Sequence, residues 1–234
     1  WRGFDRCVVA IQVGLALLLV TSAGLLMTTL RHLSDSVGGS NPQTLMAIQI
    51  DSRGTPHSDT AMQALIPTMQ ARFAALPGVQ SVAESYVVPL IYGGLPTGYL
   101  DLPGLEDRPE AEVEVATFAV GLGYFETLGI ELIAGRDFNA SDSRGAQKAA
   151  VISENVARQF FPGKSPLGEM IGFRGSARDM QVIGVVADAK QTDLRQPAPR
   201  TVYTLSGQSR AWGDRVVWAV RTTVGRATLV PAVR

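Results

Sequence analysis

Hydrophobic and polar positions divide this chain into one long apolar block followed by a mosaic of short alternating and helical patterns. From Cys7 to Leu30 roughly two dozen residues pass without a charged side chain. As a helix rising ~1.5 Å per residue this stretch is ~36 Å long, enough to cross a hydrocarbon core of ~30 Å. A membrane span is therefore expected here. Two alternatives stand beside it: a cleaved signal peptide, with Thr21-Ser22-Ala23-Gly24 as a small-residue cleavage site, and a buried helix of a soluble protein. The apolar run continues through Leu25, Leu26 and Met27 past that site, and no polar face recurs at helical spacing, so the retained span is the preferred reading. Gln12, Gly14, Thr21, Ser22, Gly24, Thr28 and Thr29 are of the small or polar kind found where membrane helices pack on one another.

Beyond the block, Ser34 to Pro42 is polar and flexible, and Leu45 to Ile50 has the β-branched content of a strand. Met62, Leu65, Met69, Phe73 and Leu76 recur at three- and four-residue steps, predicting a helix with Asp59 as its cap, a disturbance at Pro67 and an end at Pro77-Gly78. Val79 to Leu90 reads as the returning strand of a β-α-β unit, and Gly93 to Gly98 as a loop. Ala111 to Val120 alternates Val113 and Val115 against Glu112 and Glu114, predicting a half-exposed strand. A short helix closed by Gly129 follows, then a strand Glu131 to Ala134 and a turn Gly135 to Phe138. Ala149 to Ile152 is a strand, Ser153 a helix cap, and Phe161-Pro162-Gly163 a helix stop. Met180 to Val186, Thr201 to Leu205 and Val216 to Val220 complete the expected strands. Strands alternating with short helices, then several strands together, argue for an α+β class with a mixed sheet.

Composition adds boundaries. With 234 residues and no net charge, nothing points to nucleic acid as a partner. The single cysteine, Cys7, allows neither an internal disulfide nor a thiolate metal site. Arg2 and Arg6 before the span against Arg31 behind it orient the N-terminus to the cytoplasm and the larger part outside. A start at Trp1 and an end at Pro231-Ala232-Val233-Arg234 suggest an excerpt of a longer polypeptide.

Candidate chemistry is sparse. Gly163-Lys164-Ser165 resembles the end of a phosphate-binding loop, but the position that needs its first glycine is Arg158, and the triplet follows a helix instead of opening one. His32 and His57 have no third ligand at cluster spacing. Asp101, Glu106 and Asp107 lie in Pro/Gly-rich sequence that reads as solvated loop. Asn139-Ala140-Ser141 fits a glycosylation sequon, to which no role is assigned. Tyr124, Phe125, Phe138, Phe160 and Phe161 are expected in the core. No catalytic, cofactor-binding or metal-binding residue is assigned, and the chain is not expected to be an enzyme.

Four segments then carry a resemblance: Ala75 to Val82, Gly123 to Phe138, Ala150 to Phe173 and Met180 to Leu205. Together they resemble the first transmembrane helix and periplasmic core domain of MacB-like, FtsX-type ABC transporter permeases, in the variety found as orphan duplicated permeases of acidobacteria. Departures are Leu122, where the family commonly has proline, and Ser153-Glu154-Asn155, where it commonly has an Asn-Glu pair. The resemblance implies a transmembrane helix with a cytoplasmic lead over residues 1–33, a mixed-sheet periplasmic core domain of two subdomains over 34–225, and the start of a returning helix over 226–234. It further implies a bacterial inner-membrane permease, with the bilayer, a separate cytoplasmic ABC ATPase, a second permease chain in a dimer and a periplasmic protein as partners. Leu30 to Val37 would link helix to domain, softened by Gly38-Gly39. The alternative function is a membrane-anchored extracytoplasmic sensor that binds a ligand or protein.

Overall fold

The computed structural model describes residues 2–35, 44–51, 59–85, 95–105, 107–142, 145–190, 196–208 and 215–224. Its elements are α1 (Arg2–Asp35), β1 (Leu45–Asp51), α2 (Asp59–Ala74), β2 (Val79–Ser85), β3 (Thr97–Asp101), α3 (Glu110–Val113), β4 (Glu114–Val120), α4 (Tyr124–Leu128), β5 (Leu132–Gly135), β6 (Lys148–Ser153), α5 (Glu154–Phe160), β7 (Met170–Phe173), β8 (Met180–Val186), β9 (Thr201–Leu205) and β10 (Arg215–Thr222). A 3-10 turn, Ser206–Gln208, follows β9.

The side chains described in α1 run from Gln12 to Thr28, and Leu15, Leu18, Leu19, Val20 and Leu25 are all exposed. A Cβ added at Gly14 or Gly24 would meet nothing. The hydroxyls of Thr21 and Thr28 donate back to Leu17, Leu18 and Gly24 carbonyls of the same helix. Among the described residues no helix is long and apolar enough to cross a membrane; the side chains described in α1, Gln12 to Thr28, cover fewer residues than the expected span Cys7–Leu30. The link residues Ser36 and Val37, with Gly38-Gly39, lie outside the described residues.

The expected β-α-β opening is present, with one correction. β1 and β2 are not neighbours: β10 lies between them, antiparallel to both, in a register running from Leu45↔Arg221 to Asp51↔Arg215 on one side and through Trp218↔Glu84 and Val220↔Val82 on the other. The physical reason is in β10 itself. Val216, Val217, Trp218, Ala219 and Val220 are all buried, a continuous apolar run that suits a strand covered on both faces and would be wasted on an edge. α2 covers one face, where Ile66, Met69 and Phe73 meet Val82, Val216, Trp218 and Val220, with Phe73 edge-on to Trp218 at 5.4 Å. Leu65 was expected on this face and is exposed, while Ile66 takes its place.

The remaining strands form a ladder that returns on itself. β4 pairs with β3, β3 with β7, β7 with β8, β8 with β6, β6 with β9, and β9 pairs in parallel with β4. Alternate residues divide between two cores, as a pleated strand requires. Leu100, Val115, Ile152, Ile171, Val182 and Val202, one from each strand, share a cluster that Val156 and Phe160 of α5 complete. Phe118, Val151 and Tyr203 point the other way and pack with Tyr124, Phe125 and Phe138. β5 is added outside β8.

Two local expectations need correction, a third is described only in part, and one strand was not expected. Residues 110–113 are a helical turn, and the strand begins only at Glu114; Pro109 opens that turn by placing Glu110 and Glu112 in its first residues, where carboxylates suit a helix start. The strand expected over Val79–Leu90 is present over Val79–Ser85, and its remaining residues lie outside the description, as do Gly93 and Gly94. Thr97 and Gly98, assigned to a loop, open β3; a side chain at Gly98 would press on the Phe173 ring of β7, so glycine permits the close approach of those strands. The short strand Met170–Phe173 carried no signal that sequence reading caught.

α4 forms as expected. Gly123 and Gly129 take left-handed conformations on either side of it, and Ile130 N–H donates to the Phe125 carbonyl at 2.8 Å to close its end.

Candidate functional site

Two places connect the parts of this molecule. The first is the end of the small sheet where the chain enters and leaves. Thr222 N–H donates to the Thr44 carbonyl at 2.8 Å, so the residue before β1 and the last residue of β10 are neighbours. The turn after α2 is stapled to the same point: the Gly78 carbonyl accepts from the Thr223 N–H at 2.8 Å and from the Thr222 hydroxyl at 3.0 Å. Gly78 is left-handed, and a side chain there would overlap Val224. Antiparallel pairing of β1 with β10 forces this geometry, because two such strands bring the start of one beside the end of the other.

The second place is the seam between the sheet β1-β10-β2 and the closed ladder. Among the described residues β2 meets β4 at one residue pair, Ser85↔Val120. Beside it, Gly121 N–H donates to the Glu84 carbonyl at 2.8 Å, and the Ser206 hydroxyl donates to Glu84 Oε1 at 2.9 Å. Glu84 is only 6% exposed, and its Oε2 has no hydrogen-bond partner among the described residues. Its carboxylate occupies the space in which a Cβ at Gly121 would stand. Burial pushes the Glu84 carboxyl above the ordinary glutamate range, against the smaller opposing effect of its hydrogen bonds. On the opposite side of the seam α4 packs on β2 and β10: the Tyr124 hydroxyl lies at Ser85, burial drives that phenol above the ordinary tyrosine range, and Arg221 Nε donates to the Thr127 carbonyl at 3.0 Å.

The candidate residues singled out in the sequence do not converge. Asp101 ends β3 and pairs with Arg178 at 2.8 Å, half-buried, which corrects its assignment to a solvated loop. Asp107 is exposed, and Glu106 lies outside the described residues. Lys164 stands in the turn after α5, its Nζ 3.5 Å from Glu169 and over the Phe161 ring. His57 is outside the described residues, and His32 lies in α1 beyond the side chains described. Among the described residues no three His, Cys, Asp or Glu side chains are placed to hold a metal ion. Asn139 Oδ1 accepts from the Ser141 N–H at 2.8 Å and from its hydroxyl, an exposed local turn. Tyr124, Phe125, Phe138, Phe160 and Phe161 are buried, as expected.

Ser153 does precede α5, but its hydroxyl bonds to Thr201 and Asn155 and makes no cap; Asp188 accepts the Asn155 N–H at 2.8 Å in its stead. Asn155 Nδ2 also donates to the Ala198 carbonyl at 3.0 Å, tying α5 to the irregular stretch before β9. Glu84 was missed in the sequence. Its one signal is parity: it shares a face with Val82, the side of β2 on which α2 packs.

Comparison with known proteins gives the following. The family model described as MacB-like periplasmic core domain matches residues 8–230. The macrolide export ATP-binding/permease protein MacB of Neisseria gonorrhoeae is 35% identical over 75 residues, which cover 32% of this chain and 11% of that protein. The uncharacterized ABC transporter permease YknZ of Bacillus subtilis is 27% identical over 77 residues, covering 33% of this chain and 19% of that protein. The match thus spans about a tenth to a fifth of these relatives' length. Among solved structures, the periplasmic region of MacB from Actinobacillus actinomycetemcomitans superposes with a TM-score of 0.52 at 17% identity, covering 84% of this chain and 81% of that one. The extracellular domain of YknZ from Gram-positive bacteria gives 0.51 at 16% identity, covering 80% and 88%. At such identities the likeness is one of fold.

Proposed function

Because the chain belongs to the MacB-like periplasmic core domain family, we propose that it is the first membrane helix and extracytoplasmic domain of an ABC transporter permease subunit. Its work is mechanical: a separate cytoplasmic ATPase drives the membrane helices, and the folded body passes that movement to an exported substrate or a periplasmic protein. A second permease chain completes the assembly as a dimer, in a bacterial inner membrane.

One observation carries this reading. The chain enters and leaves the folded body side by side, at the Thr44–Thr222 hydrogen bond. A body held in this way can be inserted between two consecutive membrane helices, and relative movement of those helices would act directly on the edge of β1 and β10. The exposure of apolar residues around α1 supports its role as the entering helix, since bare leucines in water are costly at ~25 cal/mol per Å² and lipid removes that cost. In this reading the helix with its lead takes residues 1–33, the body 34–225 and the start of a returning helix 226–234.

The test uses the intact permease in membranes. Arg108→Cys, on an exposed loop, should react with a membrane-impermeant maleimide added outside intact cells. Deleting residues 45–222 should uncouple ATP hydrolysis by the co-purified ATPase from export. Labelling of residue 108 only after permeabilisation, or an unchanged export rate in the deletion, would overturn the proposal.

A further inference from the structure

Glu84 joins the sheet β1-β10-β2 to the closed ladder through both its backbone and its side chain: its carbonyl holds Gly121 and its carboxyl holds Ser206. Among the described residues the two parts meet there at the pair Ser85↔Val120, Ser85 being the last residue of β2. A carboxyl at such a place is costly, because a buried polar group without a partner loses its hydration for nothing. Among the described residues Oε2 has no partner, and neither has the indole Nε1 of Trp218, directly opposite on β10. Gly121, with no side chain, makes the room that the carboxyl fills.

We propose that Glu84 is a protonation-controlled tie across this seam, holding sheet and ladder together while neutral and releasing them when ionised. Consider the neighbours on every packed element. β2 contributes Ser81 and Ser85; β10 contributes Trp218, and its Arg221 is engaged at the Thr127 carbonyl; the turn after β4 contributes Gly121; the 3-10 turn contributes Ser206 and Gln208. α4 brings Tyr124, buried and uncharged until well above the ordinary tyrosine range, and the exposed Glu126; α2 brings Gln70 and the exposed Arg72. Among these described residues no cation meets the carboxylate. Ionisation places a charge in a buried site where Ser206 is the described donor to it, and opening to water relieves that cost.

The direction with pH follows from linkage. Burial raises the Glu84 pKa in the closed seam, whereas an opened seam returns it to about 4.3. The contribution of the tie is thus complete below about pH 4.3, falls as pH rises between the two values, and is gone above the raised one.

Hydrogen exchange on the whole 234-residue chain in detergent, with labelling times scaled to the intrinsic rate at each pH, reads this directly. Seam peptides covering 79–85, 114–121 and 201–208 should lose protection by up to tenfold per pH unit above about pH 4.3, then level off. Glu84→Gln should make their protection independent of pH. Ser206→Ala removes a donor that favours the ionised form, so the levelling should move to higher pH. Identical pH slopes in wild type and Glu84→Gln overturn the proposal, as does a loss shared equally by peptides of β6 and β8. If Glu84→Gln does not fold, the comparison rests on Ser206→Ala, and an unmoved levelling point refutes it.

Discussion

Trp218 offers the sharpest test of how the small sheet is held. It is fully buried in the central strand, edge-on to Phe73 of α2, and opposite Ile48 and Glu84 on the two flanking strands. Trp218→Ala removes the largest side chain of that core and leaves a cavity that both sheet and helix must collapse into, for a cost of ~3–5 kcal/mol. The edge-on ring contact accounts for ~0.5–1.5 kcal/mol of this. Trp218→Phe is the informative control. It keeps an aromatic ring against Phe73 and deletes an indole N–H that has no partner among the described residues. Relief of that buried donor returns ~1–3 kcal/mol, which offsets most of the lost volume, so the net change should stay within ~1 kcal/mol. The assay is equilibrium urea denaturation of the chain in detergent, followed by circular dichroism. At a slope of ~2 kcal/mol/M, the midpoint should fall by ~1.5–2.5 M for Trp218→Ala and by less than ~0.5 M for Trp218→Phe. Equal losses in the two variants would refute the reasoning, because they would mean that the indole nitrogen holds a bond that phenylalanine cannot replace.

Two further outcomes are expected. Arg136 grips the buried Asp142 with both guanidinium nitrogens, at 2.7 and 2.8 Å, and holds its carboxyl below the ordinary aspartate range. Arg136→Lys, which cannot form the paired contact, should cost ~1–2 kcal/mol near neutral pH. Because the folded pKa is depressed, the tie is complete above about pH 3.9 and is lost as pH falls through the lower folded value, so urea midpoints of wild type and variant should converge in acid. Gly135 and Gly163 are both left-handed, but a Cβ at Gly135 would also overlap the Ile183 carbonyl, while at Gly163 it meets nothing. Gly163→Ala should cost ~1 kcal/mol of backbone strain and Gly135→Ala at least ~2 kcal/mol more, read from the same denaturation midpoints; equal costs would show that the carbonyl moves aside freely.

Local patterning carried much of the architecture. The strands at 180–186 and 201–205 were readable from their composition, and α4 from the glycines that bracket it. Short elements failed for a shared reason: β3 and β7 have only five and four residues, too few for a period to emerge, and β3 contains a glycine that reads as loop until Phe173 is seen beside it. At 110–113, alternation of Glu and Val suited a strand and a helical turn equally well, and the acidic start after Pro109 decided for the helix.

What the sequence determined by itself was the long uncharged block Cys7–Leu30, the mixed α+β class and most element positions, because each rests on neighbours within a few residues. What only the tertiary structure decided was who sits beside whom. The run Val216–Val220 announces a strand covered on both faces, yet nothing in it says that it inserts between β1 and β2, more than a hundred residues earlier in the chain. The same holds for the closure of β9 onto β4 and for Glu84, which becomes a tie only when Gly121 and Ser206 arrive from two other segments. Strand partners are chosen by burial and register across long separations, and those are properties of the assembled fold.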